Sequence, residues 1–344
     1  MAIDDAGNFV VVWEDDADGN GLYQIMGRGF DAAGNERIPQ FTVNTVAGGQ
    51  QRNPAIDMDA EGNFVVVWED DTDGNGLYQI MGRGFDAAGN ERIPDFTVNT
   101  VASGQQRNPD IAMTPSGSFV VVWEDDQNAN DIYNIFGRGF DAAGNERIPD
   151  FIVNREGNGE QRRPDIATDA EGNFVVVWED DTDGNGLYQI MGRGFDAAGN
   201  ERIPDFTVNT VADGQQRNPD VGADRAGNFV VVWEDDADGN GVRQILARGF
   251  DAGGNERLAE MTVNTNASGE QLAPAAVLGE NVVVVWEDDM DRNGAFDILA
   301  RGFEAVTTGP LAGRVVTTGE TLVKEGFPER HGRAFPLPIG GQNR

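Results

Sequence analysis

The stretch Gly172-Asn173-Phe174-Val175-Val176-Val177-Trp178-Glu179-Asp180-Asp181 decides how this chain is read. Its β-branched and aromatic centre, opened by a Gly-Asn turn and closed by acid, is a strand with a turn at each end. The same text surrounds Trp13, Trp68, Trp123, Trp178 and Trp233, each 55 residues apart, and Trp286 follows after 53. Self-similarity at such a period signals a solenoid, a propeller or a tandem array.

Working outward from Trp178 gives one unit. Pro164–Thr168 reads as a short extended segment and residues 169–173 as a turn. Phe174–Glu179 is the second strand, followed by an acidic turn over Asp180–Gly186. Leu187–Asp196 alternates as a third strand, Ala197–Asn200 turns, and Phe206–Asn209 forms a fourth. No segment keeps a helical period. Four short antiparallel strands joined by tight turns describe a propeller blade. The expected fold is therefore all-β, a six-bladed β-propeller over residues 1–318, with a rod of tandem β-sandwiches as the alternative. Residues 314–318 align with strand four of the other units, which leaves a tail over 319–344. Within it, Thr321–Lys324 and Ala334–Ile339 are candidate strands that either close the ring or pair with another subunit. The chain opens at Met1-Ala2-Ile3, already inside a repeat, which is read as a processed or truncated N-terminus. No signal peptide or membrane-spanning stretch is read from it.

Charge narrows the partners. The 344 residues carry 25 basic and 59 acidic side chains, a net charge of −34. Such a field repels phosphate, so nucleic acid and anionic membranes are excluded. Cations are its natural partners, and adaptation to high salt is a second reading, since Lys324 is the single lysine. There is no Cys and one His, His331, which removes thiolate sites and the usual nucleophile–base pairs.

The acidic turn is the candidate site. Its copies place donors at positions one, three, five and nine. These are Asp16, Asp18, Asn20 and Gln24 in the first, and Asp71, Asp73, Asn75 and Gln79 in the second. The third has Asp126, Asn128, Asn130 and Asn134, and the fourth Asp181, Asp183, Asn185 and Gln189. The fifth has Asp236, Asp238, Asn240 and Gln244, and the sixth Asp289, Asp291, Asn293 and Asp297. Hard Ca²⁺ takes six to eight oxygens, and carboxylates or amides at alternate positions of a tight loop can converge on one ion. The expectation is up to six calcium ions. The third loop is the weakest, because Asn128 replaces Asp and Asp131 replaces the Gly at position six. Ordinary Asp/Asn/Gly hairpin turns are the competing reading.

The sixth copy, ending at Asp297, resembles the β-hairpin calcium loop of the FG-GAP repeats of integrin-α propellers. The wider text, from Trp178-Glu-Asp-Asp181 to Arg193-Gly-Phe-Asp-Ala-Ala-Gly-Asn200, resembles repeats of large secreted bacterial adhesins and calcium-dependent surface proteins. The second resemblance implies that the protein is extracellular and its calcium structural. The expected function is a non-enzymatic structural or adhesion module, with copies of itself as candidate partners through the tail or first blade. A carbohydrate-binding propeller is the alternative, and a polysaccharide-active enzyme the second alternative.

Two further series recur. Arg28, Arg83, Arg138, Arg193, Arg248 and Arg301 are read as partners of a neighbouring carboxylate such as Glu14 or Asp31, rather than as an anion-binding ring. The Trp series is read as core rather than as a sugar platform. Catalysis should break the repeat, and no unit shows a distinctive acid, base or Tyr. The largest departures are residues 127–130, 155–160 and the tail.

Overall fold

The computed structural model describes residues 1–17, 19–155, 157–279, 281–289, 295–305, 315–317 and 321–328. It is all-β: six blades of antiparallel strands, the β-propeller expected from the repeat. The first blade holds β1 (Ala2–Ile3), β2 (Phe9–Asp15), β3 (Gln24–Phe30) and β4 (Glu36–Thr42). The second holds β5 (Gln51–Met58), β6 (Phe64–Asp70), β7 (Gln79–Phe85) and β8 (Glu91–Thr97). The third holds β9 (Gln106–Met113), β10 (Phe119–Asp125), β11 (Asn134–Phe140) and β12 (Glu146–Ile152). The fourth holds β13 (Glu160–Thr168), β14 (Phe174–Asp181), β15 (Gln189–Phe195) and β16 (Glu201–Thr207). The fifth holds β17 (Gln215–Ala223), β18 (Phe229–Asp236), β19 (Gln244–Phe250) and β20 (Glu256–Thr262). The sixth holds β21 (Gln271–Leu278), β22 (Asn281–Asp288), β23 (Ala295–Ala305), β24 (Val315–Thr317) and β25 (Thr321–Pro328). Two compact units divide the chain, the first three blades in residues 1–155 and the last three in 156–336.

The second strand of an inner blade is apolar on both faces because both are covered. In the first unit, Phe64, Val66 and Trp68 pack onto Val10, Val12, Ile25 and Ile38 of the first blade. Val65 and Val67, one residue out of phase, pack onto Phe119, Val121 and Trp123 of the third. The second unit repeats this, with Val175 and Val177 against Phe229, Val231 and Trp233. A two-residue period on a strand thus supplies two cores, which is why Phe-Val-Val-Val-Trp shows no polar alternation. Trp68, Trp123, Trp178, Trp233 and Trp286 are buried, and each indole N–H donates to the Asp two residues on, at 3.0 Å for Trp123 to Asp125. The core reading therefore holds for these five, while Trp13, in the first blade, is half-buried.

Two strand boundaries differ from the sequence reading. The fourth strand starts at Glu201, ahead of Pro204, rather than at Phe206. As the last strand of its sheet it tolerates a residue without an N–H. The first strand is longer than its Pro-Asp-Ile-Ala core, because a bulge between Arg162 and Asp165 lets pairing resume from Glu160. In the sixth blade, β24 pairs only Phe303–Ala305, and β25 takes the rest of β23, with Leu322 opposite Leu299. That is the place Thr42 holds opposite Met26 in the first blade. Residues 321–324 thus lie on the sixth sheet, while 334–339 lie outside the described residues.

Candidate active site

In the second to fifth blades the acidic turn, the connection to the next blade and the bulge of the first strand lie at one end of the sheet, since successive strands run antiparallel. The bulge is the device that builds this end. It places Asn53, Asn108, Arg163, Asn218 and Ala273 at φ between 47° and 49°. The residue so twisted cannot pair within its own sheet, and its N–H turns to the preceding blade. There it meets the Glu that follows each Trp: Asn53 N donates to Glu14 Oε1 at 2.7 Å, and Asn108 N to Glu69 Oε1 at 2.7 Å. In the second unit Asn218 N reaches Glu179 Oε1 at 2.7 Å and Ala273 N reaches Glu234 Oε1 at 2.8 Å. The Asn side chain donates in the other direction, to the Glu of its own blade: Asn53 to Glu69, Asn108 to Glu124, Asn218 to Glu234. One asparagine therefore joins two carboxylates of consecutive blades.

These glutamates are deeply set. Glu124 and Glu234 are 1 % exposed and Glu179 is 0 % exposed. Burial raises the carboxyl of Glu69, against the hydrogen bonds from Asn108 and Asn53. Burial likewise raises Glu179, against the pull of Arg163 and the Asn218 N–H. Above them arginines stack on tyrosines: Arg52 over Tyr23 at 4.4 Å, Arg107 over Tyr133 at 3.9 Å and Arg217 over Tyr188 at 4.6 Å.

The second unit breaks the repeat here. Arg163 stands where Asn53, Asn108 and Asn218 stand, and its guanidinium lies 3.3 Å from Glu179 Oε1. Arg243 stands where the first four copies carry Tyr23, Tyr78, Tyr133 and Tyr188 and the sixth Phe296, and it pairs with Glu234 Oε2 at 3.0 Å. Glu179 Oε2 is buried without a hydrogen-bond partner. The pair Glu179 and Glu234, joined through Asn218, thus has one carboxylate fully engaged and one with a free oxygen in a desolvated place. The sequence reading missed it, because it expected no unit with a distinctive acid or base. The signal was Gln-Arg-Asn-Pro becoming Gln161-Arg162-Arg163-Pro164, next to the departure already seen over residues 155–160.

The acidic turns form the outer part of the same end. At position one, Asp71 Oδ1 accepts from Gly76 N at 3.0 Å, and Asp16, Asp181 and Asp236 do the same with Gly21, Gly186 and Gly241. Asp126 accepts from Asn130 N and Asp131 N. At position three, Asp73, Asp183 and Asp238 each accept from the Asn two residues on, through its N–H and side-chain amide. At position five, the side-chain oxygens of Asn20, Asn75, Asn130, Asn185 and Asn240 accept from the backbone N–H two residues further. Position nine is turned away from the loop: Gln24, Gln79, Asn134, Gln189 and Gln244 offer their side-chain oxygen to the buried Asn44, Asn99, Asn154, Asn209 and Asn264. Asn128 is exposed, Asp289 follows the sixth second strand, and Asp297 lies on β23 opposite Asp288. Asp18, Asp291 and Asn293 lie outside the described residues. Among the described residues, no three His, Cys, Asp or Glu side chains gather as a metal centre.

Five of the six arginines of the Arg series pair with carboxylates as expected, but with different ones, while Arg301 donates to the Val263 carbonyl. Arg83 binds Glu91 at 2.6 Å and Arg138 binds Glu146 at 2.5 Å, on the fourth strand of the same blade. Arg28 and Glu36 form the same pair. The remaining nitrogens reach the preceding blade, Arg83 to the Val43 carbonyl and Arg138 to that of Val98, both at 2.6 Å. Glu14 is not their partner, because it is committed to the bulge of β5.

No family model matches the chain, for integrin-type repeats or any other, and no curated protein matches it. Solved structures do. A protein of unknown function from Dyadobacter fermentans aligns with a TM-score of 0.59 at 12% identity, over 88% of this chain and 92% of that one. An α-L-arabinanase of Penicillium chrysogenum, complexed with arabinobiose, aligns with a TM-score of 0.50 at 13% identity, over 80% of this chain and 93% of its own. The GH93 α-L-arabinofuranosidase of Fusarium graminearum, also with arabinobiose, gives 0.50 at 12% identity over the same shares. At these identities the likeness is one of fold.

It corrects two expectations. A non-enzymatic calcium-stabilised adhesion module was expected, and catalysis was set aside. The propellers this chain resembles include glycoside hydrolases. The repeat symmetry, taken as the argument against an active site, is broken at Arg163 and Arg243, where buried carboxylates meet.

Proposed function

We propose that the chain is a polysaccharide-active enzyme, a glycoside hydrolase whose working carboxyls are Glu179 and Glu234. One observation carries this reading. Glu179 is completely buried, raised by that burial and left with an unpartnered oxygen, and a single Asn218 separates it from Glu234. Glycoside hydrolysis needs one carboxyl to protonate the leaving oxygen and a second, on the other side of the bond, to act as nucleophile or to activate water. Glu179 suits the acid role, since a desolvated carboxyl holds its proton. Glu234, held by Asn218, Ala273 N and Arg243, suits the second. Arg163, with 44% of its side chain exposed, is the solvent-facing member of the group.

The acidic field disfavours uronate-rich or sulfated glycans and leaves neutral ones. The arabinobiose bound by the named neighbours supports arabinose-containing polysaccharide as the first substrate class to try. A polysaccharide substrate would be met outside the cell, which agrees with an extracellular or cell-surface setting. The test is release of reducing ends from arabinan and a panel of neutral polysaccharides. Wild type should release them, and Glu179→Gln should lose on the order of 10²–10⁴-fold in rate. Failure of the wild type on every polysaccharide, or an unimpaired Glu179→Gln, ends the reading. Tight binding without turnover would return the carbohydrate-binding alternative.

A second reading concerns the acidic turns, and it is narrower than the FG-GAP likeness. Calcium would sit between positions one, three and five, with Asp71 and Asp73 as the charged ligands, because position nine is committed to the buried Asn. Two carboxylates in one short loop repel unless a cation lies between them. A melting temperature lowered by chelator supports it, and an unchanged one removes it.

A further inference from the structure

We infer that the acidic turns are self-modifying: Asn20, Asn75, Asn185 and Asn240 deamidate, with the first aspartate of each loop as the base. Each of these asparagines is exposed and is followed by Gly21, Gly76, Gly186 or Gly241. Glycine carries no side chain to shield its peptide nitrogen, which is then the most accessible nucleophile for a neighbouring side-chain carbonyl.

Three contacts serve that reaction in the second, fourth and fifth loops, and the first two of them are described in the first loop. The glycine N–H points at a carboxylate: Gly76 to Asp71 at 3.0 Å, Gly21 to Asp16, Gly186 to Asp181 and Gly241 to Asp236 at 3.1 Å. The asparagine oxygen accepts a short bond from the N–H beyond the glycine, 2.6 Å from Leu22, Leu77 and Leu187 and 2.7 Å from Val242. That bond folds the carbonyl carbon over the intervening glycine nitrogen and polarises it, as a donor does at an oxyanion site. Asp73, Asp183 and Asp238 hold the departing amide nitrogen, at 2.6–2.7 Å.

The step balances with water as its one co-reactant. The Gly76 nitrogen bonds to Asn75 Cγ while its proton passes to Asp71. The bond from Cγ to Nδ2 breaks, the proton returns to the leaving nitrogen, and ammonia departs. The resulting five-membered imide takes up one water and opens to aspartate or isoaspartate. Each event adds one negative charge and gives the loop a third carboxylate.

The third loop is the internal control. Asn130 makes the same contact with Ile132 N at 2.9 Å, but Asp131 follows it in place of glycine. Its side chain hinders the attacking nitrogen. Asn130 therefore keeps its amide.

The experiment ages the full chain at neutral pH with chelator present, so that Asp71 carries no cation, and maps deamidation loop by loop by mass spectrometry, for wild type, for Asp71→Asn and for wild type unfolded in urea. The expected result is conversion at residues 20, 75, 185 and 240, faster folded than unfolded, with residue 130 unchanged. Asp71→Asn should slow Asn75 alone, by on the order of 10²-fold, the scale of losing a positioned base. Unaltered rates at Asn185 and Asn240 in that variant certify its fold. Conversion of Asn130 at the common rate, faster reaction in urea, or an Asn75 rate indifferent to Asp71→Asn each overturns the inference.

Discussion

At the scale of single residues, the glutamate after each tryptophan has the largest structural task. Glu69 accepts the Asn108 N–H and the Asn53 amide, both at 2.7 Å, from two different blades. Glu69→Ala leaves two donors unsatisfied in a buried place, at a cost of about 2–4 kcal/mol. Glu69→Gln keeps an acceptor oxygen and should lose clearly less, and urea unfolding of the two variants checks the order. Asp57 is a second case. It stands where the other first strands carry Ala112, Ala167 and Gly222, and desolvation raises its carboxyl to about 7 against hydrogen bonds from Met113 and Met58. The folded chain therefore holds a proton that the unfolded chain releases near its ordinary value of 3.8. Its contribution to stability is complete below that value, declines as pH rises, and is gone above about 7. Asp57→Asn, neutral throughout, should flatten the fall in stability over this window. An unchanged slope in the variant would show that Asp57 does not titrate there.

At the scale of elements, the connection between blades is the tightest part of the packing. Gly49 has φ +67, and a Cβ there would lie 1.7 Å from the carbonyl oxygen of Asp71 in the next blade's acidic turn. Gly82, inside β7, is crowded differently: a Cβ would lie 2.7 Å from the ring of Phe96, a side chain that can tilt. Gly82→Ala should therefore cost about 1–3 kcal/mol, the usual range for overpacking. Gly49→Ala should cost more, because neither the backbone it meets nor its own left-handed conformation can yield. Thermal melting of both variants tests the ranking, and equal losses would contradict it. The strands themselves were legible in the repeat. Their ends were not, since Pro204 sits inside β16 only because that strand is last in its sheet.

At the scale of the whole molecule, a net charge of −34 is opposed by few cations, and most arginines are already paired. Self-repulsion among the remaining carboxylates opposes the folded state. Raising ionic strength from about 0.01 M to about 1 M shortens the screening length from ~30 Å to ~3 Å. The melting temperature should rise across that range with sodium chloride alone. A fall would mean that the arginine pairs outweigh the repulsion.

Periodicity alone determined the fold class. A strand text repeated six times, with both faces apolar, has to stack on copies of itself, because one unit cannot bury two faces. The core role of the Trp series and the pairing of the Arg series followed from the same local rules. The carboxylate pair was decided only by tertiary structure. Glu179 reads in sequence as one more strand-end acid. What sets it apart is a bulge at Asn218 in the next blade, an arginine at Arg163 and the loss of water around both oxygens. These come from segments 39 and 16 residues away in the chain. The acidic turns were visible as a pattern, but the hydrogen bond between their ninth residue and a buried asparagine is defined only by the packed blade. Short-range chemistry was therefore open to reading. Desolvation and cross-blade contact were not, because both depend on which distant residues close over a site.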